Sequence, residues 1–459
     1  MVARIDLASR TRLALVGLVA VALGVAAGVD PRIAVAAAIG LAFVVLVIGD
    51  LTIGLCLFAV VSFLDVLPNL GGSAFSFSKI VGLLLAISWF AKVSTADDSR
   101  NDFLAEHPGF TYVLGVFVAF AALSLTWAES KSAGATPLMR YALNVILFLI
   151  VYSAVKTPRD FKWTVGAYVT GAMLAAGYGL VTPPQTVTYY EVSRATGTLG
   201  DPNQLAAVLI GGIVLAAALA ATVKRSPFLR LMLIGVAIVC TLGIFLTLSR
   251  GGLVALGFAL VTAVFAAGRW RIQAIAFVVV LGVTALLYFG FAATPDQIAR
   301  VTSFGNGSGR QDIWTVGWRM VQAHPVRGVG VGNFQTSSIH YLLQPGALQR
   351  ADLIVDTPKV AHNTYLNVLA EEGVIGAALF VSIILFSLVS ILRASRIFER
   401  LGDASMELLS RGLLVALAGI LAADFFISDE FSKQLWLLLA LGPALLAIAR
   451  SAAAEAERT

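Results

Sequence analysis

Along this chain, apolar runs of bilayer length follow one another with only short polar interruptions. They fall near 13–29, 33–49, 51–66, 79–93, 109–126, 140–155, 163–182, 204–222, 229–248, 251–267, 272–293, 372–392, 411–427 and 434–449. A membrane-crossing helix needs about 20 apolar residues. The pattern therefore predicts an all-α, polytopic integral membrane protein of about 12–14 transmembrane helices. The count has a range because the second and third runs meet at Gly49–Asp50. The first run has the look of a signal peptide, but a second apolar run follows almost at once, so it is read as a retained first span.

One segment, 294–365, breaks the rhythm and divides the chain into spans 1–293, a large loop 294–365 and closing spans 366–459. Loops longer than about 15 residues usually have a purpose, and this one holds three of the four histidines. Its stretch "RQDIWTVGWRMVQAHP" sets Trp314 and Trp318 four apart, with Val321 following. That spacing predicts a short amphipathic helix with its aromatic face on the membrane surface. The next stretch, "HPVRGVGVGNF", is a turn in which Gly328, Gly330 and Gly332 let the backbone approach something closely.

Composition agrees with a membrane protein and excludes a soluble one: 59% of residues are hydrophobic and 13% charged, against about 25% charged in soluble domains. The net charge of +6 is then no sign of a nucleic-acid partner; it reflects loop lysines and arginines that set orientation. With the N-terminus placed in the cytoplasm, nineteen of the 32 basic residues fall inside, and six of the thirteen outside lie in the large loop. Both termini are expected in the cytoplasm and the large loop outside. Cys56 and Cys240 sit within apolar runs and suggest neither a disulfide nor a metal framework.

Four arginines occupy the expected outer side against this preference: Arg194 in "SRATGTLGDPNQ", Arg250 in "LTLSRGG", Arg310 in "GSGRQDIW" and Arg327 before the glycines. A planar, permanently charged guanidinium suits paired phosphate oxygens, so these are candidates for holding a lipid diphosphate. The competing reading is that they snorkel to lipid headgroups. In "VAHNTYLNVLAEEGVIGAAL", Asn363 is a strong helix cap, which leaves His362 available as a general base for a hydroxyl. His324 and His340 have no comparable placement. Glu371 and Glu372 follow two to three helical turns later and are expected to pair with an outer arginine. Asn203, in "GDPNQ", is a possible cap of the next helix.

Taken together, "RATGTLGDPNQLAAVL", "LSRGG", "GRQDIWTVGWRMVQAHPVRGVGVGNF" and "AHNTYLNVLAEEGVIGAALF" resemble the signature region of the O-antigen ligase and O-antigen polymerase superfamily, over 194–380. The resemblance implies a GT-C-like membrane glycosyltransferase of the bacterial cytoplasmic membrane, with its active site facing the periplasm. It implies a glycan donor on undecaprenyl diphosphate and a glycolipid or glycan acceptor among the membrane lipids, with no metal or other cofactor. By motif position, His362 and Arg310 would act in catalysis, and Arg194, Arg250 and Arg310 would hold the diphosphate. The first expectation is an O-antigen ligase in lipopolysaccharide biosynthesis, and the alternative is a polysaccharide polymerase. A flippase fits less well, because the spans carry few ionisable residues for a coupling ion; Asp424 is the clearest exception.

Overall fold

The computed structural model describes residues 45–47, 49–64, 77–95, 103–182, 193–302, 309–343 and 358–458, with a few isolated positions elsewhere. The apolar runs at 13–29 and 33–49 lie almost wholly outside these. The principal helices among the described residues are α1 (Leu51–Val61), α2 (Phe77–Thr95), α3 (Pro108–Ser124), α4 (Lys131–Ala154), α5 (Pro158–Val181), α6 (Pro202–Thr222), α7 (Pro227–Thr247), α8 (Arg250–Ala266), α9 (Arg271–Leu287), α10 (Arg310–Ala323), α11 (Thr364–Leu401), α12 (Ala404–Ala423) and α13 (Lys433–Ala456). Every apolar run from residue 51 onward lies on one of them. Among the described residues, eight helices are long and apolar enough to cross a membrane: α4, α5, α6, α7, α9 with its extensions, α11, α12 and α13. The protein is all-helical and polytopic.

Several helices begin before their apolar runs, because polar caps start them. Ser130, Thr157, Ser226, Ser249 and Ser432 each accept a first-turn backbone N–H through the side-chain oxygen. Such a cap contributes about 1 kcal/mol. Helix α6 lies at the centre of the bundle and packs through small residues: Gly211 against Tyr168, Gly212 against Ala172, Gly252 of α8 against Ala206, and Gly419 of α12 against Ile210. Between membrane helices, close contact of this kind drives association that the hydrophobic effect cannot.

Helix α11 is two helices joined at a break. Gly373 adopts φ 62° and ψ −167°, far from helical. The backbone groups freed there are taken up by the glycine-rich turn. Val329 N–H donates to Ala370 O (3.0 Å) and Gly330 N–H to Glu371 O (2.7 Å), while Val374 N–H donates to Pro325 O (2.8 Å). A break at membrane depth survives only where protein satisfies the freed groups. The two backbones are so close that a Cβ on Gly328 would stand 2.3 Å from Glu371 O, and one on Gly373 2.3 Å from Val326 O. The expected close approach at the glycines is therefore real, and its target is the break in α11. Gly328 also has φ 66°, so Gly328→Ala is expected to cost about 3 kcal/mol or more. Thermal unfolding of the detergent-solubilised variant checks this; an unchanged melting temperature would contradict it.

Helix α10 corrects the expectation of a membrane-surface helix. Its apolar face, with Ile313, Val316 and Met320, is buried in a small core with Phe334, Tyr341, Ala361 and Ala370. The Trp314 indole N–H donates to Ala361 O (2.9 Å); of the two tryptophans only Trp318, 52% exposed, faces outward. The large loop supplies its own apolar partners, so the helix packs on protein.

Candidate active site

The start of α6, the α7–α8 turn, the start of α10, the start of α11 and the α12–α13 connection all lie at one end of the bundle. Pro202 occupies the first turn of α6, where its missing N–H is no loss. The cap is consequently Asp201, whose carboxylate accepts from Asn203 N–H (2.7 Å) and Gln204 N–H (2.9 Å). This corrects the expectation that Asn203 caps the helix. Asn203 is instead a bracket: its Oδ1 accepts from Arg194 Nη2 (3.0 Å) and from Ser249 Oγ (2.8 Å). Arg194 is buried and donates through Nε to Thr247 O (2.7 Å). Arg194 therefore anchors the turn that presents Arg250.

That turn is tightly built. Leu248, the buried C-terminal cap of α7, has φ 49°, and Ser249 caps α8 by accepting Gly252 N–H. Arg250 is the first residue of α8, and Arg310 the first residue of α10 behind Gly309. The Arg310 guanidinium is pushed below its ordinary value chiefly by burial; Asp201 opposes this, and Arg250 and Arg300 add to it. Arg250, Arg300, Arg310 and Asp201 are thus electrostatic neighbours. Positive charge gathered in a partly buried place is what an anion relieves.

His362 is held from both sides. Ala361 O accepts from Trp314, Ala361 N–H donates to Asn367 Oδ1 (3.3 Å), and Asn363 caps α11 by accepting Leu366 N–H (3.0 Å). His362 itself has φ 49°. Among the described residues, it and Leu248 are the two non-glycine positions with positive φ; one is a candidate catalytic residue and the other leads directly into the arginine turn. Strained backbone of this kind concentrates at functional sites. Burial lowers the His362 pKa, with Arg310 next in effect, Asp201 opposing and Lys359 adding a little. The imidazole is therefore neutral at neutral pH and within the field of Arg310. Thr364 ties this segment to the α12–α13 connection, donating through Oγ1 to Ile427 O and accepting Asp429 N–H. Gln204 Nε2 donates to Asp429 Oδ1 (3.0 Å) and links it to α6.

Three of the expected residues stand elsewhere. Among the described residues Glu371 pairs with no arginine: its carboxylate accepts from Gly332 N–H (2.7 Å) and Phe334 N–H (3.0 Å), locking the glycine-rich turn. Glu372 is fully buried, and neither of its oxygens has a hydrogen-bond partner among the described residues. Both results correct the expected salt bridges; the break at Gly373 turns the pair toward backbone and core. Arg327 lies over the Trp127 ring, 5.6 Å from its centroid. Sequence reasoning overlooked Ser249, Gln204, Asp429 and Lys359. The acids of "SDEFSKQ", between two apolar runs, were the available signal for Asp429.

Residues 235–381 match the family model described as O-antigen ligase. This stretch of the chain is therefore similar to the O-antigen ligase family. The matched segment includes Arg250, Arg310, His362, Asn363 and both glutamates, and the match supports a ligase- or polymerase-type role. Arg194 and Asn203 precede it, but their hydrogen bonds to Thr247 and Ser249 reach into it. A search of curated proteins finds no match.

Proposed function

We propose that this protein transfers a glycan from a polyprenyl diphosphate to an acceptor at the outer face of the bacterial cytoplasmic membrane, as an O-antigen ligase. The observation that carries the reading is the meeting of Arg250, Arg310 and His362 around Asp201, at one end of a membrane bundle. In this reading the acceptor hydroxyl oxygen forms a bond to the anomeric carbon as that carbon's bond to the diphosphate oxygen breaks. The electron pair departs with the lipid diphosphate, whose growing charge is held by Arg250 and Arg310 on the scaffold of Arg194. The hydroxyl proton passes to the neutral His362 imidazole.

The outer placement has its own support. The opposite end of the bundle carries Arg269, Arg271, Arg393, Arg396, Arg400 and Arg411, with Arg411 paired to Glu407 (3.0 Å) and Glu399 (3.1 Å). An arginine-rich end is the cytoplasmic one.

Deleting the gene and analysing surface and lipid-linked glycans tests the function. A ligase is expected to leave uncapped lipid A core and a store of long lipid-linked chains. Accumulation of single lipid-linked units would identify a polymerase, and unchanged glycans would overturn the reading.

A further inference from the structure

Apart from the arginine site, the loops at the same end form an open cleft of about 180 Å³ lined in part by Trp127, Glu129, Arg327, Ser337, His340 and Tyr341. It is smaller than the roughly 300 Å³ of a drug-sized site, so it suits one small polar unit. Glu129 is one of its walls; the carboxylate accepts from Ser337 Oγ (2.9 Å) and lies 2.9 Å from His340 Nε2. The hydrogen bond from His340 lowers the Glu129 pKa, against a smaller effect of burial. Glu129 is therefore ionised at neutral pH. Arg327 places one cation over the Trp127 ring, and the Trp127 indole N–H has no partner among the described residues.

The walls are preformed. Asn333 clamps the α3–α4 connection to the glycine-rich turn, accepting Ser130 N–H (2.7 Å) and donating to Ser130 O (3.1 Å). Val331 N–H donates to Ser124 Oγ (2.9 Å). The wall residue Val329 is hydrogen-bonded to Ala370, eight residues after His362. Ala370 lies six residues, about 9 Å of helix rise, beyond the start of α11 at Thr364.

The chemistry of the lining selects its ligand. A diphosphate would meet the Glu129 carboxylate, and an acyl chain would meet a polar wall. A sugar ring offers hydroxyls to a carboxylate, an imidazole and a guanidinium together, with an apolar face for an indole. We propose that this cleft is a saccharide subsite that holds a sugar of the acceptor. The assignment to the acceptor rests on the transferase reading; the affinity for a sugar does not. The α3–α4 connection and residues 327–341, which build it, contribute no residue to the cradle. Arg327 accordingly belongs to acceptor recognition rather than to the diphosphate.

Two measurements on the full chain in detergent test this separately. Calorimetric titration with oligosaccharide released by mild acid from the source cell's own surface glycolipid is expected to show binding. Glu129→Gln and the exposed-side-chain variant Arg327→Gln should each weaken it tenfold or more, while Arg250→Lys leaves it unchanged. Absence of binding to the wild type, unchanged binding in both cavity variants, or loss only in Arg250→Lys would overturn the subsite. In transfer assays with lipid-diphosphate glycan, Arg327→Gln is expected to raise the acceptor KM and leave the donor KM alone. A rise in donor KM instead would assign the cavity to the donor's glycan and overturn the acceptor assignment. Failure of the wild type to transfer while the oligosaccharide still binds would count against the transferase reading and leave the sugar site standing.

Discussion

Replacing His362 by alanine is expected to lower glycan transfer by a factor of about 100 to 10,000, the range that a positioned general base contributes. The protein should still assemble, because the helix start is fixed by other groups: Asn363 supplies the cap and Trp314 holds the carbonyl of Ala361. Alanine, however, fits poorly at φ 49°, and a loss of activity alone could reflect a shifted backbone. His362→Asn separates the two causes. Asparagine tolerates left-handed backbone but cannot act as a base near neutral pH, so it should be as inactive as alanine and as stable as the wild type. Full activity in either variant would remove His362 from the chemistry. The pH profile gives a second handle. The base form is the neutral imidazole, and its pKa is lowered by burial and by Arg310. The acid limb of the rate should therefore have its midpoint below the ordinary imidazole value of about 6.5, with full rate above it.

The second large effect is expected at Arg250. Arg250→Lys keeps the charge and removes the fork. If two phosphate oxygens are held side by side, lysine cannot replace arginine, and transfer should fall by about 100-fold, the loss typical of a missing preorganised donor. The loss should fall on kcat as well as on the donor KM, since the leaving diphosphate gains charge as the sugar bond breaks. A lysine variant with near-normal activity would mean that only long-range charge matters there. Arg310→Lys should behave alike, and the double variant should lose less than the product of the two, because the residues grip one group.

Much of this was legible in the sequence. Twelve apolar runs fall on helices because spanning a bilayer leaves little freedom of composition, and Asn363 reads as a cap because few side chains can do that work. The arginine motifs were also visible, since cations at turns between apolar runs have a reason to be there. What was hidden depended on which backbone comes near. The glutamates look like salt-bridge partners until the break at Gly373 places Glu371 on the amides of Gly332 and Phe334. Trp314 looks like a membrane anchor until the carbonyl of Ala361 stands before it. Asn203 and Asp201 are both good caps; Pro202 decides between them and leaves Asn203 to hold Arg194. Arg327 resembled its fellow arginines, and only the position of Trp127 separates it.

The central claim is that Arg250 and Arg310, mounted on Arg194, hold a lipid diphosphate beside His362. A structure of the protein in lipid nanodiscs with a non-hydrolysable polyprenyl diphosphate sugar tests it directly. The account expects phosphate oxygens about 3 Å from the guanidinium nitrogens of Arg250 and Arg310, with the anomeric carbon turned toward His362. A diphosphate bound in the Trp127 cavity, or at the opposite end beside Arg269 and Arg411, would contradict it.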